Sequence, residues 1–236
     1  MNETGPSTVV HVDRLELAFE PQAWPYADAH RAVIDAVFAD MQKKKPALFN
    51  GRVLLMHRCT INPAAMSGGF LEADYASFTH WLASGRPEAG IYDCFGAAAV
   101  MSSDGAFLLG EMAPHTYNGG QIYFPCGTPD RSDLVGQRVD FDFSVRRELR
   151  EETGLDASEL TEEPGWTLSI HGSLIAAIKV MRSPRTAEVL RAEMLRHLAR
   201  ERQPELADIK IIRGPADFNP KMRPFARAFL ATKLPA

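Results

Sequence analysis

The stretch Arg147-Glu-Leu-Arg-Glu-Glu-Thr-Gly-Leu155 constrains this chain more than any other. Read as helix, Glu148, Glu151 and Glu152 are related as i, i+3 and i+4, so their carboxylates share one face. Gly154 followed by apolar Leu155 has the pattern of a helix C-cap. The carboxylates therefore crowd the negative end of the helix dipole and repel one another, each effect costing about a few tenths of a kcal/mol. Arg147 offsets part of this through an i, i+4 contact with Glu151. Local stability does not account for the cluster. A solvated acidic face is one reading. A site for a hard divalent cation is the other, since Mg²⁺ is held by a few carboxylates together with water and phosphate oxygens.

The flanking sequence predicts the company this helix keeps. Apolar residues largely alternate over Val9–Phe19, predicting a strand, and helical spacing follows from Ala29 to Met41, closed by Lys43-Lys44-Lys45-Pro46. Arg52–His57 predicts a strand, Gly68-Gly69 a loop, and Asp74–Ala83 a short amphipathic helix. Phe95–Met101 and Ala106–Met112 predict strands joined by a Ser103-Asp104-Gly105 turn, with Gln121–Phe124 a short strand after them. Val145–Thr153 predicts the acidic helix, and Trp166–Val180 a β-rich stretch broken at Gly172. A helix from Ser183-Pro184 to about Gln203, a strand at Ile209–Ile212 and a helix at Pro224–Leu230 complete the chain. No regular βαβ repeat or internal repeat is visible, so the expectation is α+β, with residues 1–90 an extension packed on a main domain of residues 91–236.

Composition narrows the function. The 236 residues carry 26 Lys and Arg against 30 Asp and Glu, a net charge of −4, which argues against a general nucleic-acid binder or a cationic membrane-surface protein. Cys59, Cys94 and Cys126 lack CxxC spacing, which predicts a reducing cytoplasm and no structural zinc. The first residues read as a loose tail with no signal peptide, and no stretch is long and apolar enough for a membrane span. The charge is also uneven: residues 130–163 hold eleven acids and five arginines, a local net of −6.

Arg147-Glu148-Leu149-x-Glu151-Glu152-x-Gly154-Leu155 resembles the second half of the Nudix box, GX5EX7REUXEEXGU, at every fixed position. Phe124-Pro125-Cys126-Gly127 is similar to the strand end and glycine that open that box. The resemblance implies an α/β/α sandwich with a mixed sheet, here with an N-terminal α/β extension. It also implies Mg²⁺ or Mn²⁺ on Glu148, Glu151 and Glu152, with Arg147 orienting those carboxylates. Hydrolysis of a nucleoside diphosphate-linked small molecule follows, in a family whose members often form homodimers. The general base would come from the box glutamates or from a later loop, where His171, Glu162 and Glu163 are candidates.

The loop half departs from the pattern. Five residues separate Gly127 from Asp133, where the family has Glu, but thirteen separate Asp133 from Arg147 where seven are expected. About six residues are therefore inserted within Thr128–Val139. Asp133, Asp140 and Asp142 are candidates for the missing acid, with Asp140 slightly preferred as a metal ligand. Gly127, Asn118 and Tyr123, with Tyr117, are expected near the substrate. Gly120-Gln121-x-x-Phe124-Pro125 is weakly similar to coenzyme A pyrophosphatases, whereas Leu48-Phe49-Asn50-Gly51 resembles a segment of UDP-glucose-cleaving Nudix hydrolases. The resulting expectation is cleavage of a sugar nucleotide such as UDP-glucose to a nucleoside monophosphate and a sugar 1-phosphate. The alternative from another class is a Nudix-scaffold nucleotide-binding or regulatory module whose altered loop has weakened catalysis.

Overall fold

The computed structural model describes residues 7–46, 48–87 and 89–235; the loose tail expected of residues 1–6 lies outside them. The chain begins with β1 (Thr8–Val12) and β2 (Arg14–Phe19), then α1 (Pro25–Ala29), α2 (Arg31–Lys44), β3 (Arg52–Ile61), β4 (Ala65–Asp74) and α3 (Tyr75–Ala83). There follow β5 (Asp93–Met101), β6 (Phe107–Met112), β7 (Ile122–Tyr123), β8 (Cys126–Gly127), β9 (Leu134–Val135), β10 (Arg138–Val139) and α4 (Phe141–Thr153). The chain closes with β11 (Thr161–Glu162), β12 (Trp166–His171), β13 (Leu174–Arg182), α5 (Ala187–Leu198), β14 (Leu206–Ile212) and α6 (Pro224–Lys233).

Among the described residues the strands form two mixed sheets. The larger has nine strands on the path β1-β12-β13-β5-β6-β14, with β7, β8 and β11 at its sides; the smaller runs β3-β4-β2-β10-β9. At the centre β5 lies parallel to β13 and in register from Asp93↔Leu174 to Met101↔Arg182. Both strands are nearly continuous apolar runs, as strands covered on two faces must be. The period of two puts Phe95 against Phe225 of α6, at 5.4 Å between ring centroids, while Gly96 lies under Val145 of α4. Helices thus cover both faces, and the α+β sandwich expected from the sequence is the architecture found.

The N-terminal layer is joined to this core. Val12, Leu17, Leu54, Met56, Met66 and Phe70 belong to the same buried cluster as the sheet residues from Cys94 onward. A second cluster, built on Trp24, Phe78 and Trp81, fills the space between the smaller sheet and its helices. Among the described residues no helix is long and apolar enough to cross a membrane.

Four local expectations need correction. The single strand over Val9–Phe19 is two strands in different sheets, because β1 pairs with β12 while β2 pairs with β4. Gly68-Gly69 is no loop but lies inside β4, where a Cβ on Gly68 would come 2.6 Å from the Met56 side chain. The strand expected at Arg52–His57 runs on to Ile61 because β4 pairs along its whole length. The helix expected from Ser183 to Gln203 is α5, which starts at Ala187 after Thr186 and ends at Leu198. There, Ser183 Oγ accepts from the Arg185 backbone N–H and holds that segment outside the helix.

Candidate active site at the end of the acidic helix

Helix α4 begins at Asp140, whose carboxylate accepts from the Phe143 backbone N–H at 3.0 Å. It stops at Gly154, which takes the left-handed conformation with φ of 73° and donates its N–H to the Arg150 carbonyl. His197 of α5 packs over that cap and hydrogen-bonds the Glu151 carbonyl at 3.1 Å. The buried stripe of α4 runs Phe141, Val145, Leu149 and then Glu152. A carboxylate therefore occupies the next core-facing position of an apolar stripe.

That carboxylate is only 6% exposed, and its Oε2 has no hydrogen-bond partner. The Cys126 backbone N–H donates to the Glu152 carboxylate, yet burial, reinforced by Glu148 and Glu205, pushes it well above the usual carboxylate range. Glu148 sits one turn back, and burial raises it to about 7 despite the Arg147 guanidinium, with Glu151 and Glu205 adding to the rise. The Glu148 carboxylate lies so close over Gly127 that a Cβ there would collide with it. Register fixes that contact, because Gly127 pairs with Gly96 and Cys126 with Ala97 at the centre of the large sheet. Glu151 points outward and is 60% exposed.

Arg147 binds the group together. It contacts Glu148 at 2.9 Å and Glu151 at 3.1 Å on one nitrogen, and both oxygens of Asp133 at 3.1 and 3.2 Å on the other. Asp133 is fully buried and also accepts from the Asp130 backbone N–H at 3.0 Å. Burial still lifts its carboxyl above the ordinary range, against the pull of Asp130 and Arg147.

The loop insertion resolves in the same place. Residues 134–139 form the β9–β10 hairpin, whose Arg138 pairs with Ala18 of β2 in the small sheet. The Asp140 N–H donates to the Asp133 carbonyl at 2.8 Å, closing the chain across the base of the hairpin. The extra residues are carried onto the N-terminal sheet, and Asp133 precedes the hairpin with five residues between it and Gly127. Asp140, expected as a ligand, instead caps α4 and pairs with Arg138 at 2.6 Å. It stands about 12 Å along the helix axis from Glu148 at ~1.5 Å per residue. Asp142 lies 3.6 Å from Lys179 at the same far end.

Among the later base candidates, Glu162 is paired with Arg146 at 2.8 Å, Glu163 with Arg182 at 2.7 Å, and His171 hydrogen-bonds Ser7 at 2.6 Å. Sequence reading missed Glu205, the residue before β14, whose charge acts on both Glu148 and Glu152. It carries no motif; only the pairing of β14 with β6 brings it here. Asn118, Tyr123 and Gly127 all line one cavity of about 140 Å³ that reaches the cluster at Cys126 and Gly127. Tyr117 lines it as well. Burial together with Glu152 and Glu148 pushes the Cys126 thiol up, so it is held neutral.

Among the described residues no three His, Cys, Asp or Glu side chains are already gathered as a metal centre. The donor set nevertheless fits a hard cation: oxygen ligands, one of them buried with an unpartnered Oε2, raised by mutual repulsion and burial.

No known family model matches this chain, and no curated protein matches it. Solved structures do resemble it. A Nudix hydrolase from Nitrosomonas europaea aligns with 61% of this chain and 91% of its own, at 14% identity and a TM-score of 0.38. RenU, a Nudix hydrolase from M. smegmatis, aligns with 61% of this chain and 86% of its own, at 17% identity and a TM-score of 0.37. The Nudix domain of Shewanella oneidensis NrtR, solved with ADP-ribose, aligns with 57% of this chain and 81% of its own, at 14% identity and a TM-score of 0.35. These likenesses are faint, and the chemistry of the site stands on its own residues.

Proposed function

We propose that the protein is a divalent-cation-dependent pyrophosphohydrolase that cleaves the diphosphate linkage of a nucleoside diphosphate derivative. The finer expectation is a sugar nucleotide such as UDP-glucose, giving a nucleoside monophosphate and a sugar 1-phosphate. The observation that carries the reading is Glu152: a buried carboxylate with an unpartnered oxygen, beside Glu148 and against Gly127. On its own this buried carboxyl is held protonated, and a divalent cation at its open oxygen would stabilise the ionised form instead, so its place in the core stripe supports a cation site.

Glu148, Glu151 and Glu152 would hold Mg²⁺ or Mn²⁺, which when bound neutralises phosphate oxygens and lowers the pKa of a coordinated water. Arg147 keeps Glu148 and Glu151 at fixed spacing and is itself held by Asp133. The Cys126 N–H orients the Glu152 carboxylate. Glu205, the residue before β14, acts by its charge on Glu148 and Glu152 and joins Glu148 as a candidate to take the proton of the attacking water. The binding-module alternative drew its support from a disturbed loop; the hairpin carries the insertion away from the cluster and leaves Asp133 on Arg147.

The test is a panel of nucleotide sugars, dinucleotides, coenzyme A and ADP-ribose with Mg²⁺ and Mn²⁺. Turnover of at least one nucleotide sugar is expected, falling by about 10²-fold or more in Glu152→Gln. Undiminished hydrolysis by that variant would overturn the site. Absence of turnover on every substrate would favour the binding module.

A further inference from the structure

The cavity beside Gly127 has a wall that the acidic helix does not supply. Tyr75, Phe78, Thr79 and Leu82 of α3 line it, together with Arg86 just beyond that helix. Its far side is closed by residues of the main sheet, among them Asp93 at the head of β5. The cavity therefore lies between the N-terminal layer and the core, and it borders Cys126 and Gly127, the strand against which Glu152 and Glu148 pack.

Arg86 is unusual in this setting. Among the described residues it is the one non-glycine with a positive φ, 56°, a conformation that costs about 1 kcal/mol or more for a residue with a Cβ. The surroundings hold it there: its N–H donates to the Trp81 carbonyl at 3.0 Å, and its guanidinium lies 5.9 Å from the Trp81 ring. It pairs with Asp93 at 3.2 Å, the two side chains being 12% and 9% exposed. Strain, stacking and ion pair together aim a buried donor–acceptor pair at the cavity.

At about 140 Å³ the cavity is smaller than a pocket for a whole drug-sized ligand and suits one ring system. Tyr75, Phe78 and Tyr123 are among the residues that line it, and its charged groups are Arg86, Arg223 and Asp93. Aromatic side chains beside a paired donor and acceptor match a heteroaromatic ring bearing both kinds of group. We propose that the cavity receives the nucleobase of the substrate, with α3 giving a ring face and Arg86–Asp93 reading the base edge. The N-terminal layer is then a specificity element of the site. The inference rests on the reading of the substrate as a nucleotide derivative, but it concerns binding and not the hydrolytic step.

The experiment measures binding of adenosine, guanosine, cytidine and uridine by saturation-transfer NMR in EDTA, with D-ribose and methyl α-D-glucoside as controls that lack a nucleobase. At least one nucleoside is expected to bind at least about tenfold more tightly than either control. Leu82→Trp, which fills the cavity, and Arg86→Met, which removes the donor, should each weaken that nucleoside by about tenfold. Circular dichroism checks that each variant folds; if Arg86→Met does not, Leu82→Trp decides. Equal binding of nucleosides and controls, binding of the glucoside alone, or unchanged affinity in Leu82→Trp would overturn the proposal. Glu152→Gln should bind the same nucleoside as wild type while losing hydrolysis. Failure of the cavity and failure of the hydrolytic reading are thereby separated.

Discussion

Asp133 and Asp140 are seven positions apart and have opposite consequences for the site. Asp133 is buried on Arg147, so Asp133→Ala leaves a half-buried guanidinium short of its main anchor, at a cost of about 3 kcal/mol, and loosens Glu148 and Glu151. Asp140→Ala removes an N-cap, about 1 kcal/mol, at the end of α4 remote from the carboxylates. Chemical denaturation and steady-state kinetics on the two variants check this: activity should fall sharply in the first and stay near wild type in the second. Glu148 adds a pH dependence. Its folded pKa is about 7 against an ordinary 4.5, so the folded state holds the proton more tightly than the unfolded chain. Stability of the metal-free protein should therefore fall as pH rises from about 4.5 to about 7, by on the order of 3 kcal/mol. Melting curves in EDTA across that range should show the fall, and Glu148→Gln should make it shallower, the remainder coming from Glu152 and Asp133, which burial also raises.

At the scale of elements, the β9–β10 hairpin and α4 do different work although they are contiguous. Joining Asp133 directly to Asp140 removes residues 134–139 at a point where the backbone already closes with a 2.8 Å hydrogen bond. The shortened protein should melt lower, because the small sheet loses β9 and β10 beyond β2, while its hydrolytic rate stays within about tenfold of wild type. Thermal melting paired with a rate measurement checks both halves. The acidic helix was legible in the sequence because its signals are local: charge spacing, an apolar stripe and a glycine cap. The hairpin was not, since its partner, Ala18 of β2, lies more than a hundred residues upstream. For the same reason counting back from Arg147 across seven intervening residues lands on Val139, beside Asp140, whereas counting forward from Gly127 reaches Asp133. The break between β1 and β2 and the glycines inside β4 were also invisible, as each depends on which distant strand lies alongside. Glu205 was hidden in the same way, whereas Asn118, Tyr123 and Gly127 fell on one cavity because they lie close together in sequence as well as in space.

On the scale of the whole molecule, the two sheets share one core, since residues of β1 to β4 are buried with those of β5 to α6. The chain should therefore unfold in a single transition followed by tryptophan fluorescence and circular dichroism alike, and a fragment of residues 91–236 should not melt cooperatively. The net charge of −4 gathers around α4, where residues 130–163 carry −6. That concentration of acid, with an unpartnered Glu152 oxygen at its buried end, is what a divalent cation would answer. Titrating the protein with Mn²⁺ and following the free ion by electron paramagnetic resonance tests this most directly. Wild type should deplete the free-ion signal, Glu152→Gln should bind at least about tenfold more weakly, and Glu163→Gln, a surface acid paired with Arg182, should match wild type. Equal Mn²⁺ binding by wild type and Glu152→Gln would contradict the account.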